Sequence, residues 1–191
     1  MNAARLEAFT DGVVAIIITI MVLEIRVPRG SDLAALQADL PVLSAYVLSY
    51  VNVGIFWNNH HHMLHITERV NGKVLWANLA LLFWLSLVPF VIRWIDETGF
   101  TALPTAAYGV VLLCAAVSYQ ILQQQLIAYN GRDSRLASAV GADFKGKLSL
   151  ILYLAAIVLA FVRPWMAITL YVAVALLWLV PDRRIESLVR K

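Results

Sequence analysis

Long apolar segments alternate with short polar ones along this chain, and the first apolar segment has the length of a membrane crossing. It lies within RLEAFTDGVVAIIITIMVLEIRVP, residues 5–28, where no charge occurs from Val13 to Leu23. At about 1.5 Å per residue, a helix over residues 6–26 spans about 30 Å, which is the thickness of a bilayer core. The segment therefore predicts a membrane-spanning helix.

Three further segments predict helices of similar length. Pro41 suits the first turn of a second helix, and Pro89 predicts a kink near the outer end of a third. The dipeptide Asn130-Gly131 ends a fourth helix, which opens near Pro104. The predicted boundaries are residues 41–62, 74–95 and 104–129.

The last apolar region, residues 148–180, is interrupted only by Arg163-Pro164. A single helix over this region would be about 50 Å long, which is more than a bilayer needs. A tight hairpin at Arg163-Pro164 divides it instead into two short spans, residues 146–162 and 164–181. The pattern thus predicts an all-α, polytopic membrane protein with six transmembrane helices in a single domain, residues 1–191.

One face of the first helix has a distinct pattern. Ile16, Ile20 and Leu23 fall at i, i+4 and i+7, with Thr19 beside them and Asp11 nearer the start. Polar groups inside a membrane usually face protein or water, so this side of the helix does not meet lipid alone. The apolar stripe fits ordinary helix packing, which is the commoner arrangement, or the apolar lining of a pore formed by several copies.

Composition supports the membrane class. Of the 191 residues, 61% are hydrophobic and 14% are charged, whereas soluble domains are about half apolar and a quarter charged. With both termini in the cytoplasm, eleven basic residues lie inside and four outside, in accordance with the positive-inside rule. The inside set is Arg5, Arg69, Lys73, Arg132, Arg135, Lys145, Lys147, Arg183, Arg184, Arg190 and Lys191, and the outside set is Arg26, Arg29, Arg93 and Arg163.

The same numbers exclude several classes of function. The basic residues form no dense block with interleaved aromatic residues, so the chain lacks the pattern of a nucleic-acid-binding protein. It has neither a Gly-x-Ser-x-Gly turn nor a P-loop, and we expect no enzyme activity. The single Cys114 excludes an intrachain disulfide.

Residues of the first helix resemble the signature of a known family. Arg5, Phe9-Thr10-Asp11, Ala15-Ile16, Thr19 and Leu23-Glu24-Ile25 are similar to the first helix of the transmembrane protein 175 family, the endolysosomal potassium channels and their prokaryotic relatives. The usual signature has Phe-Ser-Asp where this chain has Phe-Thr-Asp, and threonine keeps the hydroxyl group.

The resemblance implies a potassium-permeable cation channel in the plasma membrane, built as a homotetramer around a pore lined by the first helix. Ile16 would form the narrowest constriction, and Ile20 and Leu23 would extend the apolar lining. Thr19 would contribute a ring of hydroxyl groups that favours potassium over sodium. Because the chain lacks a TVGYG loop, selectivity is expected to be modest. The only ligands expected are monovalent cations, with no cofactor and no resident metal.

The resemblance also implies a polar cluster that holds the first helix in place. Its members would be Arg5, Phe9, Thr10, Asp11, Asn78 on the third helix, and one of His60 to His62, with His61 the best match. The run Asn58-Asn59-His60-His61-His62 and the nearby His65 leave two alternatives open. His61 and His65 have the i, i+4 spacing of a metal-chelating pair in a metal-binding or substrate-carrying membrane protein. Proton conduction, which related animal proteins show, is the other alternative.

Overall fold

The chain forms a bundle of α-helices. The structure is a computed structural model, and it describes residues 3–67, 69–131, 133–141 and 143–179. Its helices are α1 (Ala3–Leu23), α2 (Leu33–His65), α3 (Gly72–Ser86), α4 (Val88–Thr98), α5 (Ala102–Asn130), α6 (Arg135–Val140), α7 (Phe144–Val162) and α8 (Pro164–Leu179). Five spans within the described residues are long and apolar enough to cross a membrane, with α3 and α4 forming one of them, and α8 is a shorter apolar helix.

The helix α5 lies at the centre of the bundle. It packs extensively against α3 and α7, and α7 packs against α8. The helix α1 packs mainly against α2 and α3, with further contacts to α4. This arrangement leaves α1 at the edge of the bundle, where part of its surface has no neighbour among the described residues.

The second helix begins earlier than the sequence predicts. It starts at Leu33 rather than at residue 41, because the Asp32 side chain accepts a hydrogen bond from the Ala35 N–H and caps the helix there. Pro41 consequently lies inside the helix instead of in its first turn. The Ser44 hydroxyl donates to the Pro41 carbonyl at 2.6 Å, next to the place where the proline ring removes a backbone donor.

Other boundaries differ in smaller ways. The helix α1 ends at Leu23, three residues before the predicted end, and the chain leaves the helical path before Arg26. The third span is interrupted at Leu87, where α3 ends and α4 begins, with Pro89 in the first turn of α4. A proline ring clashes with the carbonyl four residues earlier, so the helix cannot continue regularly through this point.

The polar segment after α5 contains a short helix that the sequence analysis did not predict. Ser134 caps α6 through a hydrogen bond from the Ala137 N–H, and Asp143 caps α7 by accepting from the Gly146 N–H. At the predicted hairpin, Arg163 alone separates α7 from α8, with the extended backbone that a residue before proline adopts. Residues 180–191 lie outside the described residues, and they include the end of the predicted sixth helix. Arg132 also lies outside them.

Candidate functional site

The helix α1 has one covered and one uncovered side. Val14, Ile17 and Met21 are packed inside the bundle, with at most 3% of each residue exposed. Ile16 and Leu23 are 59% and 80% exposed. The stripe predicted from the helical period is therefore largely uncovered by the part of the subunit that the structure describes.

The uncovered side is longer than the predicted stripe. Continuing the helical period towards the start of α1 adds Phe9 and Arg5, which are both exposed. We call this surface the uncovered face of α1; it consists of Arg5, Phe9, Ile16, Thr19, Ile20 and Leu23. Its Thr19 hydroxyl donates to the Ile16 carbonyl at 2.9 Å, so the hydrogen of the hydroxyl is engaged and its oxygen lone pairs remain on the exposed side.

A buried chain of hydrogen bonds ties α1 to two neighbouring helices. The Asn78 side-chain amide of α3 donates to the Thr10 hydroxyl at 2.9 Å, and its carbonyl oxygen lies 2.8 Å from Nε2 of His60 on α2. All three residues are at most 1% exposed. Since the side chains come from three helices, the chain fixes the rotation of α1 about its own axis.

The same contacts define the protonation of the histidine ring. Because the Asn78 carbonyl oxygen can only accept, Nε2 of His60 carries the hydrogen. Nδ1 of His60 is buried and has no hydrogen-bond partner among the described residues. An imidazole that donates through one nitrogen and leaves the other unpartnered in the interior is the neutral form. The polar chain therefore holds no charge.

The assignment of His61 to this cluster is corrected by the structure, which places His60 there. Successive residues of a helix point about 100° apart, so only one of the adjacent histidines can face α3. His61 instead lies on the outer side of α2, where its Nδ1 is 2.7 Å from a Glu7 carboxylate oxygen and its ring stacks on Trp57. It still joins α2 to α1, but through a partly exposed contact.

Three predicted members of the polar cluster lie elsewhere. Arg5 and Phe9 belong to the uncovered face, since they are separated by four residues and share one side of the helix. Asp11 points towards α2 and accepts a hydrogen bond from the Trp57 indole N–H at 2.8 Å. The predicted cluster is thus divided: Thr10 and Asn78 meet, while Asp11 instead contacts Trp57.

We expect Asp11→Asn to have little effect on stability, because the amide oxygen can still accept from Trp57. Asp11→Leu removes the acceptor and should lower the free energy of unfolding by about 1.5–3 kcal/mol, the range for a hydrogen bond to a charged group. Thermal unfolding of the purified protein in detergent measures both. If Asp11→Asn were as damaging as Asp11→Leu, the charge of Asp11 would matter through a contact other than Trp57.

A network of ion pairs anchors the opposite end of α1. Arg26 Nε lies 2.7 Å from Asp96, and Arg93 bridges Glu24 at 3.3 Å and Glu97 at 3.1 Å. These pairs were not predicted from the sequence. Acidic and basic residues occur together at the end of the first predicted span and at the end of the third. Both ends lie on the same predicted side of the membrane, and this pattern could have predicted the ion pairs.

The metal-binding alternative rests on the histidines of α2. No group of three or more His, Cys, Asp or Glu side chains suited to a metal ion occurs in the part of the chain that the structure describes. The rings of His61 and His65 stack with centroids 6.1 Å apart, and His60 is occupied by Asn78. The structure gives the metal-binding alternative no support.

Comparison with known proteins finds related ion channels. The family model described as endosomal/lysosomal potassium channel TMEM175 matches residues 5–89. A potassium channel of Chryseobacterium sp. (strain P1-3) is 50% identical over 98% of this chain and 97% of its own length. The human endosomal/lysosomal proton channel TMEM175 is 36% identical over 44% of this chain and 19% of the human protein.

A solved structure has the same fold. The crystal structure of a lysosomal potassium-selective channel TMEM175 homolog from Chamaesiphon minutus superposes with a TM-score of 0.81 at 25% sequence identity. The match covers 93% of this chain and 96% of that chain. The family model matches only residues 5–89, whereas the structural match covers nearly the whole bundle.

Proposed function

This chain belongs to the TMEM175 family of potassium channels, and from that premise we propose that it conducts potassium ions through a pore lined by the uncovered face of α1. The family assignment confirms the resemblance drawn from the first-helix signature. The Chryseobacterium and Chamaesiphon relatives are potassium channels by name, and that activity is transferred here as a proposal.

The uncovered face of α1 is the observation that carries the proposal. Its large apolar side chains, Ile16 and Leu23, stay exposed, yet the same face includes the hydroxyl of Thr19 and the guanidinium of Arg5. Polar and charged groups are disfavoured against lipid, and in membrane proteins they face a water-filled cavity or other protein. We propose that four copies of the chain place this face around a common axis.

The mechanism follows from the order of side chains along that face. Ile16 would form the narrowest ring, and Ile20 and Leu23 would extend the apolar section towards the outer end. Ions are blocked where an apolar constriction is too narrow to stay wet, because they lose hydration and gain no protein ligand. A small outward shift of the central part of α1 would then open the pore.

The contacts around α1 suit such a gate. The buried chain of Thr10, Asn78 and His60 holds one end of the helix, and the pairs of Arg26 and Arg93 hold the other. The central part, where Ile16 lies, has an apolar packing surface formed by Val14, Ile17 and Met21 and can shift without breaking a hydrogen bond. The ends of α1 would therefore act as fixed points around a movable constriction.

Thr19→Val should keep the potassium current but reduce the preference for potassium over sodium, because valine has nearly the same shape and no oxygen. The reversal potential under bi-ionic conditions measures this preference. Thr169→Val is a matched control, since Thr169 is also exposed and its hydroxyl also donates to a backbone carbonyl of its own helix, the Trp165 carbonyl of α8. An unchanged reversal potential in Thr19→Val would remove Thr19 from the selectivity mechanism.

The proposed channel is tested by two measurements on the same purified protein. Native mass spectrometry or light scattering in detergent should give four chains per particle. Potassium release from loaded liposomes should exceed that from protein-free liposomes. A monomer, or a tetramer without potassium release, would contradict the proposal. The predicted cytoplasmic position of both termini is tested separately, because a reporter fused after Lys191 that was active only outside the cytoplasm would contradict it.

Proton permeation remains a second candidate. The human relative, which matches over 44% of this chain, is named a proton channel. The reversal potential of the current distinguishes the two candidates. In a proton-selective pore it shifts with the pH gradient and not with the potassium gradient. We expect the potassium gradient to dominate here.

A further inference from the structure

Arg5 is the one charged side chain on the uncovered face of α1. It is exposed, and its guanidinium group has no ion pair or hydrogen bond with the part of the chain that the structure describes. Rings of Arg or Lys side chains are typical of anion pores, whereas cation channels carry acidic rings. Four bare Arg5 side chains around the axis would therefore oppose the entry of potassium. The charge of Arg5 needs a partner that its own subunit does not supply.

Two carboxylates lie at the same end of α1, on the side that faces α2. A Glu7 carboxylate oxygen is 2.7 Å from Nδ1 of His61, and Asp11 accepts from the Trp57 indole N–H. Since successive residues turn by about 100°, Arg5 and Glu7 project about 160° apart around the helix but differ by only about 3 Å along it. Arg5 therefore cannot reach Glu7 of its own chain, although the two charges lie at nearly the same height.

Glu7 has the capacity for a second contact. Only its Oε1 atom contacts His61, and 21% of its side chain is exposed. An ionised carboxylate has about four lone-pair sites, so it can accept from an arginine while it keeps the contact with the histidine. Asp11 is less well matched to Arg5, because it lies about 9 Å further along the helix. Glu7 is therefore the better acceptor for an arginine at the height of Arg5.

The helix surface between the two charges has small side chains. Ala8 and Gly12 are exposed, and the helical period places both of them between Arg5 and Asp11 around α1. A Cβ atom added to Gly12 would meet nothing within 4 Å. Because small residues let two membrane helices approach closely, a neighbouring α1 can bring its Arg5 side against this surface without a steric obstacle.

We propose that Arg5 of each chain forms an ion pair with Glu7 of the next copy around the ring, an inference that rests on the proposed tetramer. In a ring, each subunit presents one side to one neighbour and the opposite side to the other. Rotation about the ring axis keeps the height of every residue, so Arg5 and Glu7 of adjacent copies remain close in height. The four pairs neutralise Arg5, and through His61 they connect α1 of one subunit to α2 of the next.

Thiol crosslinking in a Cys114→Ser background tests the contact. Two differently tagged chains, one with Arg5→Cys and one with Glu7→Cys, would be co-expressed, and the purified protein would be treated with a short bis-maleimide. We expect a crosslinked product that carries both tags, and its loss when Leu154→Cys, on the exposed side of α7, replaces Glu7→Cys. Intact tetramers without the mixed product would overturn the pair and leave the proposed channel standing. Arg5→Cys chains that crosslink to one another as readily would also overturn it, by placing Arg5 at the axis.

A double-mutant cycle on the full-length protein measures whether the two charges are coupled. Arg5→Gln and Glu7→Gln should each lower the melting temperature of the tetramer in detergent, and the double variant should lower it no further than the larger single change. A glutamine at position 7 can still accept from His61, and Arg29→Gln, at an exposed arginine outside the helices, is the control. Additive losses, as expected if Arg5 bound a lipid phosphate, or no loss in either single variant, would overturn the pair. Wild-type protein without tetramers would overturn it together with the proposed function.

Discussion

Ile16→Asn should produce a tetramer with a larger and more persistent potassium current than the wild-type protein. The amide is similar in size to the isoleucine side chain but binds water, so a ring of four amides would keep the constriction hydrated when the apolar ring would dewet. If hydration lowered the barrier by about 1.4 kcal/mol, the current would rise about tenfold. Single-channel recording in planar bilayers measures both the amplitude and the open time.

Two neighbouring substitutions make this test decisive. Ile20→Asn, one turn further out on the same face, should raise the current less. Ile17→Asn places the same amide on the covered side of α1, where Ile17 is 3% exposed, and should reduce the yield of folded protein without increasing current. If Ile16→Asn behaved like Ile17→Asn, Ile16 would be a packing residue between subunits. A well-folded Ile16→Asn tetramer with wild-type or smaller current would exclude Ile16 as the gate.

Asn78→Leu should cause the largest loss of stability among single substitutions near α1. It leaves the His60 Nε2–H and the Thr10 hydroxyl without their partner inside the bundle. Each unsatisfied buried group costs about 1–3 kcal/mol, so for two groups we expect a total of roughly 2–6 kcal/mol. The melting temperature and the tetramer yield in detergent should both fall, whereas Asn58→Leu, at an exposed amide on α2, should change neither.

A multiple variant distinguishes this mechanism from a simple change of shape. Combining Asn78→Leu with His60→Leu and Thr10→Val removes all three polar groups together, so no unsatisfied atom remains. Because replacing every partner can be nearly neutral, the triple variant should be more stable than Asn78→Leu alone. Strictly additive losses would show that the three side chains do not act as one hydrogen-bonded unit.

The periodicity of the first helix was sufficient to identify the stripe of Ile16, Ile20 and Leu23. It could not show that this stripe is uncovered, since that depends on which side of α1 the second and third helices occupy. The same period, once extended, would have moved Arg5 and Phe9 from the polar cluster to the uncovered face. Helical spacing therefore predicts which residues share a face, and only the packing of the bundle shows what that face meets.

The histidine run illustrates the limit of motif matching. Three adjacent histidines satisfy the same pattern, and the choice of His60 over His61 depends on the rotation of α2 relative to Asn78. That rotation is set by which side chains α2 buries, and these lie between Ser49 and Leu64. Similarly, Pro41 met the rule for a first helical turn, but the Asp32 cap had already started the helix eight residues earlier. Local signals compete, and the stronger cap determined the boundary.

The ion pairs at the outer end were beyond sequence analysis for a different reason. Arg26 and Asp96 are 70 positions apart, and their contact depends on where α1 ends and on the break between α3 and α4 at Leu87. The expected end of the first helix at residue 26 would have kept Arg26 within the helix. Small errors in helix boundaries thus conceal contacts between helix ends, while contacts within the spans follow more directly from the pattern.

The central claim is that the uncovered face of α1 lines the ion path, and cysteine accessibility tests it most directly. In a Cys114→Ser background, Thr19→Cys tetramers in a planar bilayer would be treated with a cationic methanethiosulfonate reagent. Leu154→Cys, on the exposed side of α7, serves as the control. We predict that the reagent blocks potassium current through Thr19→Cys and leaves Leu154→Cys unaffected. Undiminished current through Thr19→Cys tetramers whose thiols are shown by mass spectrometry to be modified would contradict the claim.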